Sequence, residues 1–456
     1  MLRLPPPQIA QMGSSDSRHG HDADQTAHAI SKILSRFTKY HPERIELSLD
    51  RVCRLLAELD NPQEKLPPVI HIAGTNGKGS TIAFLDSVLT ASGLRVSTYT
   101  SPHLVRFAER YRLAGDIIDE RELLTLFEEL DTANAGKPIT QFEITTAAAF
   151  LAMSRTPADV ILLETGLGGR FDATNVISRP LATIITPVGF DHMTFLGSRL
   201  PEIAGEKAAI QKSGVPSIVA QQAPDAAAVI ADAAAAVGAP LHRRGIEWQL
   251  TFANTGGGSY VRGNVRWTLP KPALPGRHQL ENAALAAACL DICGLPSVNT
   301  ETLAEGITQA NWPGRMQRLT NGVLAETLGP GVDLWLDSAH NPMAAGALAK
   351  ELDEIQRRDR RPVHLILAML EDKDVGGFIT PLTRHITTVT TVPLAEEAGA
   401  RSASDLAFIL ANLGQPARSA SSIQDALLHI SHNNGRVRVL ITGSHLLVGA
   451  ALRTNS

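Results

Sequence analysis

Aromatic side chains are scarce in this chain: Phe, Trp and Tyr together make up 4% of 456 residues. That scarcity argues against an aromatic-rich β-sandwich, while abundant Ala, Leu and Gly favour helices packed closely on sheets. Cysteine is equally sparse. Three cysteines, Cys53, Cys289 and Cys293, are too few for a disulfide framework and fit a reducing, cytoplasmic setting. Cys289 and Cys293 lie four apart in an Ala-rich helical run, where small core residues would stand. No sign of charge dominates. The net charge is −4, both signs are mixed and no basic block stands out, so nothing supports nucleic acid or an acidic membrane surface as partner. No apolar run reaches about 18 residues, so no membrane-spanning helix is indicated. Residues 1–25 lack the continuous apolar stretch of a secretory signal and lack helical period. They read as a flexible tail, rich in Pro, Ser, Asp and His. His19, His21 and His28 are open to two readings there, solvated tail residues or metal donors.

What the chain does have is a 44% hydrophobic content, enough for large cores, in a length that corresponds to about two or three domains. Short β-branched runs recur at 69–74, 94–100, 159–166, 181–189 and 216–221, with amphipathic segments such as 120–133 and 143–155 between them. Continuous apolar strands alternating with helices predict a parallel sheet covered on both faces. Residues 250–269 read instead as an antiparallel hairpin, followed by a helix over 279–294 that Gly294 and Pro296 end. The alternation then resumes in "LWLDSA", "VHLILAML", "TTVTTVPL" and "RVRVLITGS", which places a domain boundary near 295–300.

The stretch "VIHIAGTNGKGSTIAFL" carries the most specific chemistry. A strand runs into a turn with Gly74, Gly77 and Gly79, and then into a helix. Glycines let backbone N–H groups approach an anion closely, the helix aims its positive end at the same place, and Lys78 adds a full charge. This strand–turn–helix context is what a triphosphate cradle requires. The alternative is a tight turn with a solvated lysine. Gly79 displaces Ser80 by one place from the usual Gly-Lys-Ser/Thr order, so the metal is expected to take ligands from elsewhere. Ser101, Glu143 and His192 offer a hydroxyl, a carboxylate and an imidazole at or near element ends, and strand C-termini of a parallel sheet gather on the phosphate-loop edge. Singly, each has a plainer reading: Glu143 as a helix N-terminal charge, Ser101 as a turn start, His192 as a turn residue.

The segments "HIAGTNGKGS", "TSPHLVRFAER", "LLETGLGGRFDATN", "GFDHMTFLG", "IAGEKAAIQKSGVP", "GRHQLENAALA", "WPGRMQ" and "LDSAHNP" occur in this order. Together they resemble the folylpolyglutamate synthase/dihydrofolate synthase family, a branch of the Mur-ligase-type ATP-dependent amide ligases, over about residues 28 to 450. The resemblance implies an α/β fold: an N-terminal P-loop parallel-sheet ATPase domain over 26–296 and a smaller C-terminal Rossmann-like domain over 300–456. It implies that Thr75, Asn76, Gly77, Lys78, Gly79 and Ser80 wrap the phosphates of ATP, and that Asn282, Arg315, Asp337 and His340 also contact the nucleotide. Ser101, Glu143 and His192 are expected to bind magnesium, with two ions in all. Lys207 is expected to be carbamylated and to help hold the second ion; Ala209 stands where the family has glycine and adds a methyl near that lysine. Lys78, Lys207 and His192 form the catalytic set. Arg106, Phe150 and Leu151 are candidate substrate contacts, with Phe150 placed to stack on a pterin ring or to fill the core. His103 and Arg110 are candidates for a folate carboxylate.

These parts imply ligation of L-glutamate to dihydropteroate, to tetrahydrofolate or its polyglutamates, or to both, through an acyl phosphate. Pterin or folate and L-glutamate are the expected partners, and the chain is expected to be a monomer. A muramyl-peptide-type ligase and a regulatory P-loop ATPase are the competing readings. The first is disfavoured by "GTNGKGS" and "ETGLGGRFDATN"; the second would not need the C-terminal ligand set.

Overall fold

The computed structural model describes residues 16–41, 48–295, 297–328, 331–394, 399–431 and 436–455. Its first sheet contains β1 (Val69–Ala73), β2 (Val96–Tyr99), β3 (Tyr111–Leu113), β4 (Asp116–Ile117), β5 (Val160–Glu164), β6 (Ala182–Ile185), β7 (Ser217–Val219) and β8 (Leu241–Arg243). They lie in the order β4-β3-β2-β5-β1-β6-β7-β8, with β3 and β4 antiparallel at one edge and the rest parallel. The central strands "VIHIA" and "VILLE" are buried along their whole length, which explains their continuous apolar runs. Alternation still sorts their side chains. Ile70 and Ile72 join the cluster under the helices Lys78–Ala91 and Arg277–Cys293, while Val69 joins the opposite cluster with Tyr99, Phe150 and Leu163. His71, fully buried in β1, satisfies its Nε2 on Thr174 Oγ1 at 2.8 Å.

The expected hairpin over 250–269 is a three-stranded antiparallel sheet of β9 (Gln249–Phe252), β10 (Gly258–Arg262) and β11 (Val265–Leu269). A third sheet holds β12 (Gln317–Leu319), β13 (Asp333–Leu336), β14 (Val363–Leu367), β15 (Thr388–Thr391), β16 (Ala417–Ser419) and β17 (Arg438–Thr442) in the order β12-β13-β17-β14-β15-β16. Only β12 runs antiparallel there. Helices cover both faces of this sheet and of the first.

The N-terminal expectation needs correction. Residues 1–15 of the expected tail lie outside the described residues, but 16–25 are helical, the beginning of the helix Asp16–Lys39. Further along that helix Ile30, Ile33 and Phe37 are buried at helical spacing, and Phe37 meets Phe127 edge-on at 5.7 Å. The polar residues before them hid a helix whose apolar stripe begins only near Ile30. Pro296, expected to stop the helix before it, also lies outside the described residues.

Candidate active site

The C-terminal ends of β1, β2, β5 and β6 open onto a cavity of about 2180 Å³ that also takes its walls from the third sheet. After β1, Gly74 turns at φ 149° with Thr186 pressed against its Cα, and Gly77 caps the helix Lys78–Ala91 at φ 90°. An L-residue at Gly77 would be strained and would meet Asn282 Oδ1 at 2.6 Å, so this glycine also seats Asn282 against the loop. Thr75 and Asn76 donate their N–H groups to Pro187 O at 3.0 and 3.3 Å. The donors left for an anion are therefore those from Gly77 to Ser80, at the positive end of the helix. Lys78 Nζ rests on Gly74 O at 3.2 Å and Thr75 O at 3.4 Å and faces Glu164 Oε1 at 3.8 Å.

Glu164, the last residue of β5, is the carboxylate of this site. Burial pushes its pKa up, Lys78 pulls it back, and its Oε2 accepts from Ser101 N–H at 3.1 Å. Glu143 is not there. Its two oxygens take a bidentate pair from Arg51 at 2.9 and 3.0 Å, and Oε2 also accepts from Thr140 N–H at 2.8 Å in a helix capping box. The helix-start reading of Glu143 holds and the metal reading fails, because the helix Gln141–Arg155 turns its N-terminal carboxylate toward Arg51 instead of the cavity. Phe150 and Leu151 are likewise corrected: both are buried in the core behind the first sheet and line no part of the cavity.

His192 does line the cavity, at the end of the loop after β6. Burial, with Lys373, Lys207 and His340 nearby, lowers it to about 4 against the pull of Asp191, so the imidazole is neutral near pH 7. Lys207 stands just behind the cavity wall. Its amine donates to Gly74 O at 3.1 Å, and burial together with Lys78 lowers its pKa to about 7. Ala209 caps the C-terminal end of the helix Leu200–Ala208 and is half-buried there. Among the described residues no group of three His, Cys, Asp or Glu side chains could hold a metal ion alone.

The loop Ser101–Arg110 forms another wall. Glu109 accepts from the N–H groups of Leu104, Val105 and Arg106, which folds the loop on itself. Arg110 lies 4.5 Å over the Phe107 ring and donates to His103 Nδ1 at 3.0 Å. Arg106 is largely exposed and faces Glu120 at 3.7 Å.

The third sheet closes the cavity. Asp337, at the end of β13, accepts from Met316 N–H and Ala339 N–H at 2.9 Å each. Burial raises the pKa of Asp337 as it does that of Glu164, and Arg315, which lines the wall beside Asp337, partly offsets the rise at both carboxylates. His340 sits 4.9 Å from His445, ring to ring. Three residues absent from the sequence expectations tie this half to the first. Asp191 is held by Lys373 Nζ at 2.7 Å, Asn341 Nδ2 at 3.0 Å and His340 Nε2 at 3.3 Å. Asn341 also pairs its carboxamide with that of Asn76 at 2.9–3.0 Å. Burial alone would raise the Asp191 pKa, but His340, His192 and Lys373 outweigh it and hold the carboxylate well below its usual range.

A phosphate loop on one parallel sheet, faced across a shared cavity by a basic and acidic set from a second, defines a Mur-type ATP-dependent ligase. Comparison bears this out. The Mur ligase middle domain matches residues 72–290, and the dihydrofolate synthetase C-terminal domain matches residues 323–454. The chain is 35% identical over 376 residues to the dihydrofolate synthase/folylpolyglutamate synthase of Escherichia coli, covering 82% of this chain and 84% of that one. The solved structure of Escherichia coli FolC with DHPP and ADP superimposes with TM-score 0.83 and 33% identity, over 93% of this chain and 96% of the other. The bifunctional enzyme of Yersinia pestis with AMPPNP and Mn superimposes with TM-score 0.81 and 33% identity, over 92% and 97%. The chain belongs to the dihydrofolate synthase/folylpolyglutamate synthase family.

Proposed function

We propose that this chain joins L-glutamate to dihydropteroate and to tetrahydrofolate or its polyglutamates, in both cases by activating a carboxylate with ATP. The observation that carries the reading is Lys78, set in its glycine turn against Glu164, with Arg315 and Asp337 of the other sheet on the same cavity. The division into an ATP-binding unit over 26–296 and a second unit over 300–456 is part of this reading.

A carboxylate is a poor electrophile, so the acid must first be activated. Its oxygen attacks the γ-phosphorus, the bond to the β-phosphate oxygen breaks, and ADP leaves with that electron pair. The amine of glutamate then attacks the acyl carbon, phosphate leaves with the carbon–oxygen pair, and the amine nitrogen gives up its proton. Side chains do no covalent work in this scheme. Lys78 and the free N–H groups from Gly77 to Ser80 stabilise charge on the phosphates, Arg315 adds a second cation, and closure keeps water from the acyl phosphate. Asn282, Asp337 and His340 are assigned to the nucleotide, and His103, Arg106 and Arg110 to the pterin-bearing acid.

The donors fit a divalent ion: Glu164 in place of Glu143, with Ser101 and neutral His192 on the same cavity, would hold it together with oxygens from the phosphates. Such an ion, when bound, spreads the negative charge of the phosphates. Lys207 fits carbamylation, because a buried amine with a pKa of about 7 is partly neutral, and the neutral form is the one that adds to CO₂. The test supplies ATP, magnesium and labelled glutamate with dihydropteroate or tetrahydrofolate in separate tubes. Glutamate-dependent ADP release and a labelled pteroyl product are expected in both. Release without an acceptor and no labelled product would favour a regulatory ATPase, and product in one tube alone would make the chain monofunctional.

A further inference from the structure

Gly79 is a residue whose presence the backbone does not demand. Its φ is not positive, so an alanine could adopt the same conformation. Space forbids it: a Cβ at Gly79 would stand 2.7, 2.8 and 2.9 Å from Cζ2, Cε2 and Nε1 of Trp312. The indole is therefore packed flat on the first turn of the phosphate-loop helix, at the one place where the usual hydroxyl residue is missing.

Trp312 belongs to the segment 311–316 that leaves the helix Thr300–Gln309 and enters β12. Three residues on is Arg315. The far end of this segment is fixed to the third sheet: Met316 N–H donates to Asp337 Oδ2 at 2.9 Å, Ser338 N–H donates to Gly314 O at 2.9 Å, and Gly314 N–H donates to Gln317 Oε1 at 2.9 Å. Its near end has Trp312, which packs against the core between the first sheet and its helices. The helix before it is seated the same way, since Gly306 lies so close to Val88 that a Cβ would meet that backbone at 2.5–2.6 Å.

We infer that Trp312 is a positioning residue: seated on Gly79, it sets the register of the Arg315 segment against the phosphate loop, so that Lys78 and Arg315 reach one phosphate chain as a unit. The glycine after Lys78 is then the socket of this contact, which is why a serine or threonine does not stand there. The inference rests on the ligase reading above for what the phosphate chain is, but the packing claim can be tested apart from it.

The test is a double-mutant cycle with Gly79→Ala, Trp312→Ala and the pair, read as kcat/KM for ATP in glutamate-dependent ADP release at saturating dihydropteroate. Gly79→Ala is expected to lose about a hundredfold, the scale of a misplacement near 1 Å, with an unchanged circular dichroism spectrum. Trp312→Ala is expected to lose about tenfold or more, with much of the loss recovered in Trp312→Phe, which keeps a flat ring. The double variant should be no worse than Trp312→Ala, since the added methyl then meets empty space. Losses that multiply in the double variant, or a fully active Trp312→Ala, would overturn the assignment. Calorimetric titration of ADP into the same four proteins gives the cycle again. If the wild type binds ADP and shows the coupling but makes no pteroyl product, the ligase reading falls and the socket stands.

Discussion

Glu164 and Glu143 carry the same functional group and sit on elements that both border the site, yet they face different partners. Glu164 looks at Lys78 across 3.8 Å and at Ser101 N–H, whereas Glu143 is spent on Arg51 and the start of its own helix. Glu164→Gln is expected to reduce kcat by about a hundredfold or more with little change in melting temperature, because it removes the anionic donor proposed for the divalent ion and the carboxylate that faces Lys78. Glu143→Gln should do the reverse. It replaces the charged bidentate pair with Arg51 by a neutral contact and is expected to lower stability by about 1 kcal/mol or more, while kcat stays within about threefold of wild type. Steady-state kinetics and urea unfolding on the two variants separate the roles; activity lost in Glu143→Gln at full stability would reverse the assignment.

At the scale of elements, the helix Gln141–Arg155 shows why a motif residue and its helical neighbours need not share a task. Its burial is nearly complete from Glu143 to Met153, so the side seven and eight residues on from Glu143 packs into the core and presents nothing to a ligand. Phe150 is 0% exposed and packs with Tyr99, Phe127 and Ile161 in one cluster. Phe150→Ala should therefore cost about 3–5 kcal/mol in chemical denaturation. The milder Phe150→Leu should leave KM for dihydropteroate unchanged; a raised KM in that variant at normal stability would restore the pterin-stacking role. The strands that patterning left unnamed, β3, β4, β8, β12 and β16, are two or three residues long, too short for alternation to register.

Across the whole molecule, polar contacts around Asp191 are among those that tie the two large sheets together beside the cavity. Asp191→Ala takes away the common partner of Lys373, His340 and Asn341, so the halves should separate more readily. A fall of about tenfold or more in kcat/KM for ATP is expected, with a larger radius of gyration by X-ray scattering. An unchanged radius and rate would mean that the tie is incidental. Acid sensitivity is also a property of the whole. Burial lowers His71 from 6.5 to about 3, while burial and nearby arginines lower His103 and His278 to about 4. At these three histidines the unfolded chain therefore binds more protons than the folded one below pH 6.5. Their contribution to stability is complete above that value and is lost as pH falls toward the folded pKa values, approaching about 1.4 kcal/mol per pH unit for fully buried His71. Urea midpoints between pH 7 and 5 should show this slope, and His71→Gln should shallow it; an equal slope in that variant would exclude His71 as a source.

The sequence by itself determined the alternation of buried strands and helices, the phosphate loop and the family, because each is written in contiguous residues whose spacing matches a local period or turn. It also determined that Asp337 stands at a strand's C-terminal edge, directly after β13, and that Lys78 follows a glycine turn. Only the tertiary structure decided which of two glutamates meets Lys78, since Glu164 earns its place from the parallel register of β5 on β1, with Ile72 opposite Glu164. It also decided that Asp191 pairs with Lys373 and that Trp312 covers Gly79. Those partners are separated by 182 and 233 positions along the chain (312 − 79 for the second), and no local pattern records a contact that exists only after two sheets have closed on one cavity.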